Sequence, residues 1–182
     1  MEEILELIER LRAAGVPLDD SIEEAMNSVD PSCFTDHSLE PFLGDRPVPF
    51  LVTEEGAAKT ISAPHMVATL LHHLEIREAQ HVLLLGSKGG YLAALLDCML
   101  GPDGVVTIIE PHDEVLLHTS ERLEMFDSMG FLTVLPPEAL EGWNGLSRRV
   151  DRVLVTGSVR ILPPEIEALV EDGGFVLGPF GG

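Results

Sequence analysis

With 182 residues, 45% of them apolar, and a mean hydropathy of +0.21, the chain can bury one good core and is not a disordered polypeptide. Its 31 acidic residues against 11 basic ones leave a formal charge of −20, which repels phosphate backbones and anionic lipid surfaces and argues against nucleic acid as a partner. No apolar run approaches the roughly 18 residues that span a bilayer, and the acidic amphipathic N-terminus lacks a signal-type core, so a cytoplasmic protein without membrane contact is expected.

Cys33 and Cys98 lie far apart without a Cys-x-x-Cys pairing, so neither a disulfide framework nor a cysteine-rich metal site is expected. The acidic surface reads first as a solubilising one. Two of the basic residues are lysines, Lys59 and Lys88, and both fall in the segments singled out below.

In chain order, Ile4, Leu5, Ile8 and Leu11 recur at helical spacing before Gly15, which predicts an amphipathic helix with a glycine stop. A second helix is predicted from Ser21, where Ser21 and Glu24 fit a capping box. Between Asp30 and Gly56 the four prolines Pro31, Pro41, Pro47 and Pro49 predict a long ordered loop without regular elements. Pro64 suits a first helical turn, and Met66, Val67, Leu70, Leu71 and Leu74 would form that helix's apolar face.

Alternating units follow: strand 82–85, helix 91–99, strand 105–109, helix 113–129, strand 131–135, strand 152–156, helix 164–170 and strand 174–177. Near-continuous apolar strands alternating with helices imply an α/β fold with a mostly parallel sheet covered on both faces. Right-handed crossovers favour a Rossmann-like, doubly wound sheet preceded by N-terminal helices, with a ligand crevice at the strands' C-terminal ends. One domain is expected over residues 1–182, with 1–59 as helices and a substrate-side loop and 60–182 as the core.

Two segments carry the most chemistry. The first is Thr60-Ile61-Ser62-Ala63-Pro64-His65-Met66. The second is the strand and turn Val82-Leu83-Leu84-Leu85-Gly86-Ser87-Lys88-Gly89-Gly90-Tyr91, an apolar run ending in glycines that opens a helix and lets backbone N–H groups approach a ligand. Together they resemble the protein-L-isoaspartate O-methyltransferase family, with a similar Thr-Ile-Ser-Ala-Pro-His-Met segment before a strand ending in Gly-Ser-Gly-Ser-Gly-Tyr. The resemblance runs from Ser21-Ile22-Glu23-Glu24-Ala25-Met26 through Asp30 and Phe34 to Leu162-Pro163 and Gly173-Gly174-Phe175-Val176-Leu177-Gly178-Pro179-Phe180-Gly181. It implies methyl transfer from S-adenosylmethionine, with S-adenosylhomocysteine as product, to the abnormal carboxylate of an isoaspartyl residue in a protein or peptide substrate.

By this resemblance Gly86, Ser87, Lys88, Gly89, Gly90 and Tyr91 correspond to the cofactor loop; without the flanking motifs, the turn reads first as glycines that only pack a helix onto a strand. Glu110 ends the next strand about twenty residues on, where a carboxylate can accept both ribose hydroxyls of an adenosine cofactor. Glu138, counted back from Gly142-Trp143, stands where the family has the aspartate of a Gly-Asp-Gly segment, but Pro137 and Ala139 replace the glycines. An adenine contact and a solvated loop glutamate are both open there.

Leu84 replaces an acidic residue of the family and Lys88 a glycine, so the pocket is expected to be less negative and S-adenosylmethionine to bind it weakly. Ser62 aligns with the family's active-site serine, flanked by Thr60 and His65, and would orient an acceptor that is already ionised. Its other reading is a helix cap before Pro64. Asp45 and Arg46 resemble the region before the active loop and are placed near the peptide site. His65, His72 and His73 lack partners at ligand spacing, so no metal site is expected, and Ser158 lacks the Gly-x-Ser-x-Gly elbow of a serine hydrolase.

Two rivals remain at this stage: a diverged, non-catalytic member that binds a partner or another ligand, and a dinucleotide-dependent oxidoreductase, against which the Ser-Ala-Pro-His-Met segment argues. Family members continue with further strands beyond the one matching Gly174 to Leu177. That strand is therefore expected to be an edge, covered by a second copy in a homodimer or by a missing portion of a longer chain.

Overall fold

The computed structural model describes residues 2–140, 149–157 and 160–180. Helix α1 (Glu2–Ala13) buries Leu7, Ile8 and Leu11, while Leu5 of the expected stripe points outward. Gly15, at φ +80°, ends it: the N–H of Gly15 donates to Arg12 O at 3.0 Å and that of Val16 to Leu11 O at 3.0 Å, the paired bonds that satisfy a helix's last carbonyls. Helix α2 (Asp20–Ser28) starts one residue before the expected Ser21, and no capping box forms. Asp19 occupies the cap position, yet its carboxylate is drawn away to His72 Nδ1 at 2.9 Å.

The stretch expected to be an irregular loop is more ordered than its prolines suggested. It holds a 3-10 turn (Pro31–Phe34), a short α3 (Glu40–Leu43) and strand β1 (Val48–Val52), which pairs antiparallel with β2 (Ala58–Ile61). Proline is harmless here because of where it falls. Pro31 and Pro41 sit in first helical turns, where no N–H is needed, and Pro49 sits at a register shift of β1.

Helix α4 (Pro64–Leu74) follows, burying Val67, Ala68, Leu71 and Leu74 and leaving Met66 exposed. The main sheet comprises β3 (His81–Leu85), β4 (Val105–Ile109), β5 (Phe131–Leu135), β6 (Val150–Val155) and β7 (Val170–Leu177), all parallel, in the order β5-β4-β3-β6-β7. Helix α5 (Tyr91–Leu100) is apolar nearly all round and correspondingly buried. It shares one core cluster with α1, α2, α4 and the 3-10 turn. Its Asp97, almost fully buried, accepts from the N–H groups of Met129 (2.7 Å) and Gly130 (2.9 Å).

That capture turns the chain towards β5 and explains why α6 (Asp113–Glu124) stops short of the expected residue 129. Helix α7 (Pro164–Glu167) is likewise shorter than expected, because Val170 already pairs with Val150 at the start of a long, irregular β7. The sheet reverses its winding at β3, which has β4 on one side and β6 on the other; in open parallel sheets the ligand crevice lies at such a point, beyond the strands' C-terminal ends.

Candidate active site

The C-terminal ends of β3, β4 and β6 open onto a cavity of about 460 Å³, within the range typical of small-molecule sites. Leu85, Gly86, Ser87 and Lys88 come from the β3 end, Ile109, Glu110, Pro111 and His112 from the β4 end, and Val155, Thr156 and Gly157 from the β6 end. Phe50, Lys59 and Thr60 of the β1–β2 hairpin close it from the other side.

The turn after β3 is built by close approach. Gly86, at φ +93°, donates its N–H to Ile109 O at 2.8 Å, and a Cβ there would lie 2.4 Å from Thr156 Oγ1. Thr156 Oγ1 in turn donates towards Leu85 O (3.0 Å) and Gly86 O (2.9 Å). Gly89, at φ +76°, lies under the Phe50 ring, which a Cβ would meet at 2.8 Å. Between them Lys88 holds φ +50°, a left-handed conformation that costs a non-glycine residue about 1 kcal/mol.

Glu110 is 4% exposed and its carboxylate is engaged from three sides: Oε2 accepts from Ser87 N (2.8 Å) and Ser87 Oγ (2.9 Å), Oε1 from His112 N (3.0 Å). Thr119 Oγ1 donates to Ser87 Oγ at 2.8 Å and completes the chain. A carboxylate has about four acceptor positions, so one stays open for a ligand hydroxyl. The surrounding walls, Ile109, Pro111, Val115, Pro137 and Val155, are apolar and suit an aromatic base. An adenosyl cofactor fits this donor set and these walls.

A smaller pocket of about 20 Å³ is lined by Ile61, Ser62, Val67, Leu70, Lys88, Tyr91, Leu92 and Thr156, so it shares Lys88 and Thr156 with the large cavity. Ser62 does not cap α4: Ala63 holds the cap position without a side-chain bond, and the His65 N–H of the first turn donates to Asp45 Oδ1 at 2.9 Å. The Ser62 hydroxyl has no hydrogen-bond partner among the described residues. Tyr91 is fully buried between the rings of Phe34 and Phe42, its hydroxyl lacks a partner among the described residues, and burial, with Asp30 adding to it, pushes its pKa well up.

The structure therefore divides the residues singled out from the sequence. Gly86, Ser87, Lys88, Glu110 and Thr60 line the large cavity, and Ser62, Lys88 and Tyr91 the small one. Gly89 and Gly90 lie behind the wall, where the rings of Phe50 and Phe34 need their missing side chains. Glu138 is exposed in the turn after β5 and does not reach the cavity; Pro137 does, because the Pro136-Pro137 pair sets the course of that turn. Gly142-Trp143, which anchored that alignment, and Ser158 lie outside the described residues.

His65 lines neither pocket; its Nδ1 sits 3.0 Å from both oxygens of Asp45. Leu84 is wholly buried in the main core and its loss of charge is not at the cavity wall, since successive strand residues face opposite ways and Leu85 takes the cavity side. Lys88 alone carries the charge change expected there. Phe50, Thr119 and Thr156 went unnoticed in the sequence; a phenylalanine after Pro49 and isolated threonines carry no local signature.

The sequence model of the family described as protein-L-isoaspartate(D-aspartate) O-methyltransferase matches residues 2–182. A protein-L-isoaspartate O-methyltransferase of Ignicoccus hospitalis is 32% identical over 177 residues, covering 96% of this chain and 80% of the relative. That of Methanococcus maripaludis is 32% identical over 184 residues, covering 100% and 82%. A solved protein-L-isoaspartate O-methyltransferase superposes with a TM-score of 0.81 at 21% identity over 97% of this chain and 55% of its own. A Plasmodium falciparum protein assigned to the same methyltransferase class, solved in complex with S-adenosyl-L-homocysteine, gives 0.76 at 21% identity, covering 97% and 84%. The Rossmann-like fold, the glycine turn with its carboxylate, and these matches over nearly the whole chain converge: the chain belongs to the protein-L-isoaspartate O-methyltransferase family.

Proposed function

We propose that this protein transfers a methyl group from S-adenosylmethionine to the carboxylate of an isoaspartyl residue in a protein or peptide. The observation that carries this reading is that Ser62, whose hydroxyl has no hydrogen-bond partner among the described residues, lines one small pocket with Lys88 and Thr156, and that these two also line the cofactor-type cavity. When bound, S-adenosylmethionine supplies an activated methyl group. Gly86, Ser87 and Glu110 would hold its adenosyl part, Glu110 through its open acceptor position. Ser62 and Thr60 would orient the acceptor, whose carboxylate is already ionised, so no side chain must remove a proton. His65 would act through the loop: its pairing with Asp45 ties the start of α4 to the 44–46 turn and so fixes where Ser62 stands.

Calorimetric titration with S-adenosylmethionine, its demethylated product and NAD, followed by a methyl-transfer assay on an isoaspartyl peptide, tests this reading. Binding of the first two and isoaspartyl-dependent transfer support it. A non-catalytic member of the same fold is the second reading, favoured by Lys88 in the cavity wall; binding without transfer would establish it.

Three further points belong to the proposal. Residues 1–182 act as one methyltransferase domain, with the segment up to residue 59 on the substrate side. The protein works in the cytoplasm; among the described residues no helix is long and apolar enough to cross a membrane. Finally, β7 is the outer strand of the sheet, and a second copy covers its edge in a homodimer. Light scattering at micromolar concentration checks this last point, and a monomer with protected β7 amides would defeat it.

A further inference from the structure

The cavity contains a cation in the wrong place for a cationic cofactor. Among 11 basic residues two are lysines, and both Lys59 and Lys88 line the same cavity. Neither has an ion pair or hydrogen bond among the described residues, in a protein with 31 acidic side chains. Several arginines are engaged, Arg12 with Glu23, Arg122 with Asp36 at 2.6 Å and Arg152 with Leu74 O at 2.8 Å, whereas Arg46, Arg77, Arg149 and Arg160 share the lysines' lack of a side-chain partner among the described residues; what sets the two lysines apart is that they line the cavity. Among the described residues Glu110 is the one acidic residue lining the cavity, and its acceptor positions are largely taken by Ser87 and His112.

Lys88 is also held there at a cost, in a left-handed conformation at φ +50° that glycine would adopt freely. It lines the small pocket as well, together with Ser62 and with Tyr91, whose buried hydroxyl is unpaired among the described residues. Unpaired ammonium groups beside an apolar-walled cavity, an open serine and an unsatisfied phenol describe a site completed by an anion with hydrogen-bonding oxygens.

We propose that Lys88, assisted by Lys59, forms a carboxylate-binding subsite that holds the acceptor carboxylate of the peptide at Ser62 and thereby couples substrate binding to cofactor binding. This rests on the methyl-transfer reading. Without the acceptor, the ammonium opposes a sulfonium in the neighbouring cavity. Once a carboxylate is paired with Lys88 the opposition is neutralised, so the two ligands strengthen each other's binding, reciprocally and by the same factor. Lys88 is then a specificity-determining residue: it selects for an ionised acceptor and against cofactor bound alone. The methionyl carboxylate of the cofactor offers the same chemistry, and the test must separate the two sources.

The test is calorimetric and needs no turnover. Sinefungin, a non-transferring analogue with an ammonium group in place of the sulfonium methyl, and S-adenosylhomocysteine are titrated into the full chain with and without a saturating isoaspartyl peptide. The proteins compared are the parent, Lys88→Met, which keeps a Cβ at the strained position, and Lys88→Arg, which keeps the charge. Peptide should tighten sinefungin about tenfold in the parent and in Lys88→Arg but not in Lys88→Met, and Lys88→Met should weaken peptide about tenfold in the presence of S-adenosylhomocysteine. Unchanged peptide affinity in Lys88→Met overturns the proposal. A Lys88→Met protein that loses S-adenosylhomocysteine affinity without peptide assigns the lysine to the cofactor's carboxylate and overturns it too. A parent that binds neither adenosyl ligand refutes the methyl-transfer reading itself, an outcome distinct from both.

Discussion

The two walls of the cavity are made differently. On the sheet side most polar groups bond one another: Gly86 N–H bonds Ile109 O, Thr156 bonds the carbonyls of Leu85 and Gly86, Ser87 and His112 converge on Glu110, and Thr119 donates to Ser87 Oγ behind them. On the hairpin side the backbone is fixed by β1–β2 pairing and by Thr35 Oγ1 donating to Pro49 O at 2.7 Å, but the functional side chains are not. Lys59 and Ser62 on this side, and Lys88 where the turn after β3 meets it, have no side-chain partners among the described residues. A wall whose groups satisfy one another presents the same surface whether or not a ligand is bound, which is what electrostatic preorganisation requires. A wall that leaves donors open is finished by its ligand. Under the proposed function the cofactor meets the sheet side and the peptide the hairpin side.

Breaking the sheet wall should have the largest consequence. Glu110→Ala strands the buried N–H and O–H of Ser87 and should cost about 3 kcal/mol of stability as well as adenosyl affinity. Chemical denaturation measures the first; a loss below about 1 kcal/mol would mean that the network is not needed to hold this wall. Ser62→Ala should behave in the opposite way. Its hydroxyl makes no bond among the described residues, so stability and cofactor affinity should be nearly unchanged, while turnover on an isoaspartyl peptide falls about a hundredfold. Equal turnover in the variant would remove Ser62 from the proposed chemistry.

The same contrast decides what could be read in advance. The parallel sheet was legible because strands buried on both faces are continuous apolar runs, and Val105–Ile109 and Phe131–Leu135 appear with the boundaries expected. Most of the sheet wall was legible too, since Gly86 and Glu110 sit at fixed offsets from strand ends. The hairpin was not, because four prolines argue against strands unless each falls where its missing N–H is unneeded, which only pairing partners reveal. For the same reason Phe50 escaped notice, though its ring explains Gly89. At Glu138 the sequence left an adenine contact and a solvated glutamate both open; in the structure Glu138 is exposed and Pro137 beside it lines the cavity.

Lys88→Gly sharpens the comparison at the point where the walls meet. Glycine relieves the left-handed strain at φ +50° and should stabilise the protein by about 1 kcal/mol. With the charge removed, S-adenosylmethionine alone should bind about tenfold tighter. Unchanged or weaker affinity with the fold intact would show that the ammonium turns away from the cavity and that the hairpin side carries no electrostatic cost.

The smallest effect expected is acid weakening of the hairpin side through His118. Its ring stacks against Phe50 at 5.1 Å, and its Nε2 donates to Phe34 O at 3.2 Å, so it supports the two rings that cover Gly89 and Gly90. Burial first, and the Arg122 guanidinium after it, hold its pKa below the ordinary value of 6.5, outweighing the opposite pull of the Phe34 carbonyl and of Asp36. Because the folded pKa is the lower one, the unfolded chain binds more protons just below pH 6.5, and stability must fall as the pH drops through that window. The group is half exposed, so solvent screening keeps this contribution below about 1 kcal/mol. Thermal midpoints at pH 7 and pH 5 should therefore differ slightly more for the parent than for His118→Gln, which has no titrating ring. Equal differences would place the acid sensitivity elsewhere and leave the hairpin wall indifferent to protonation.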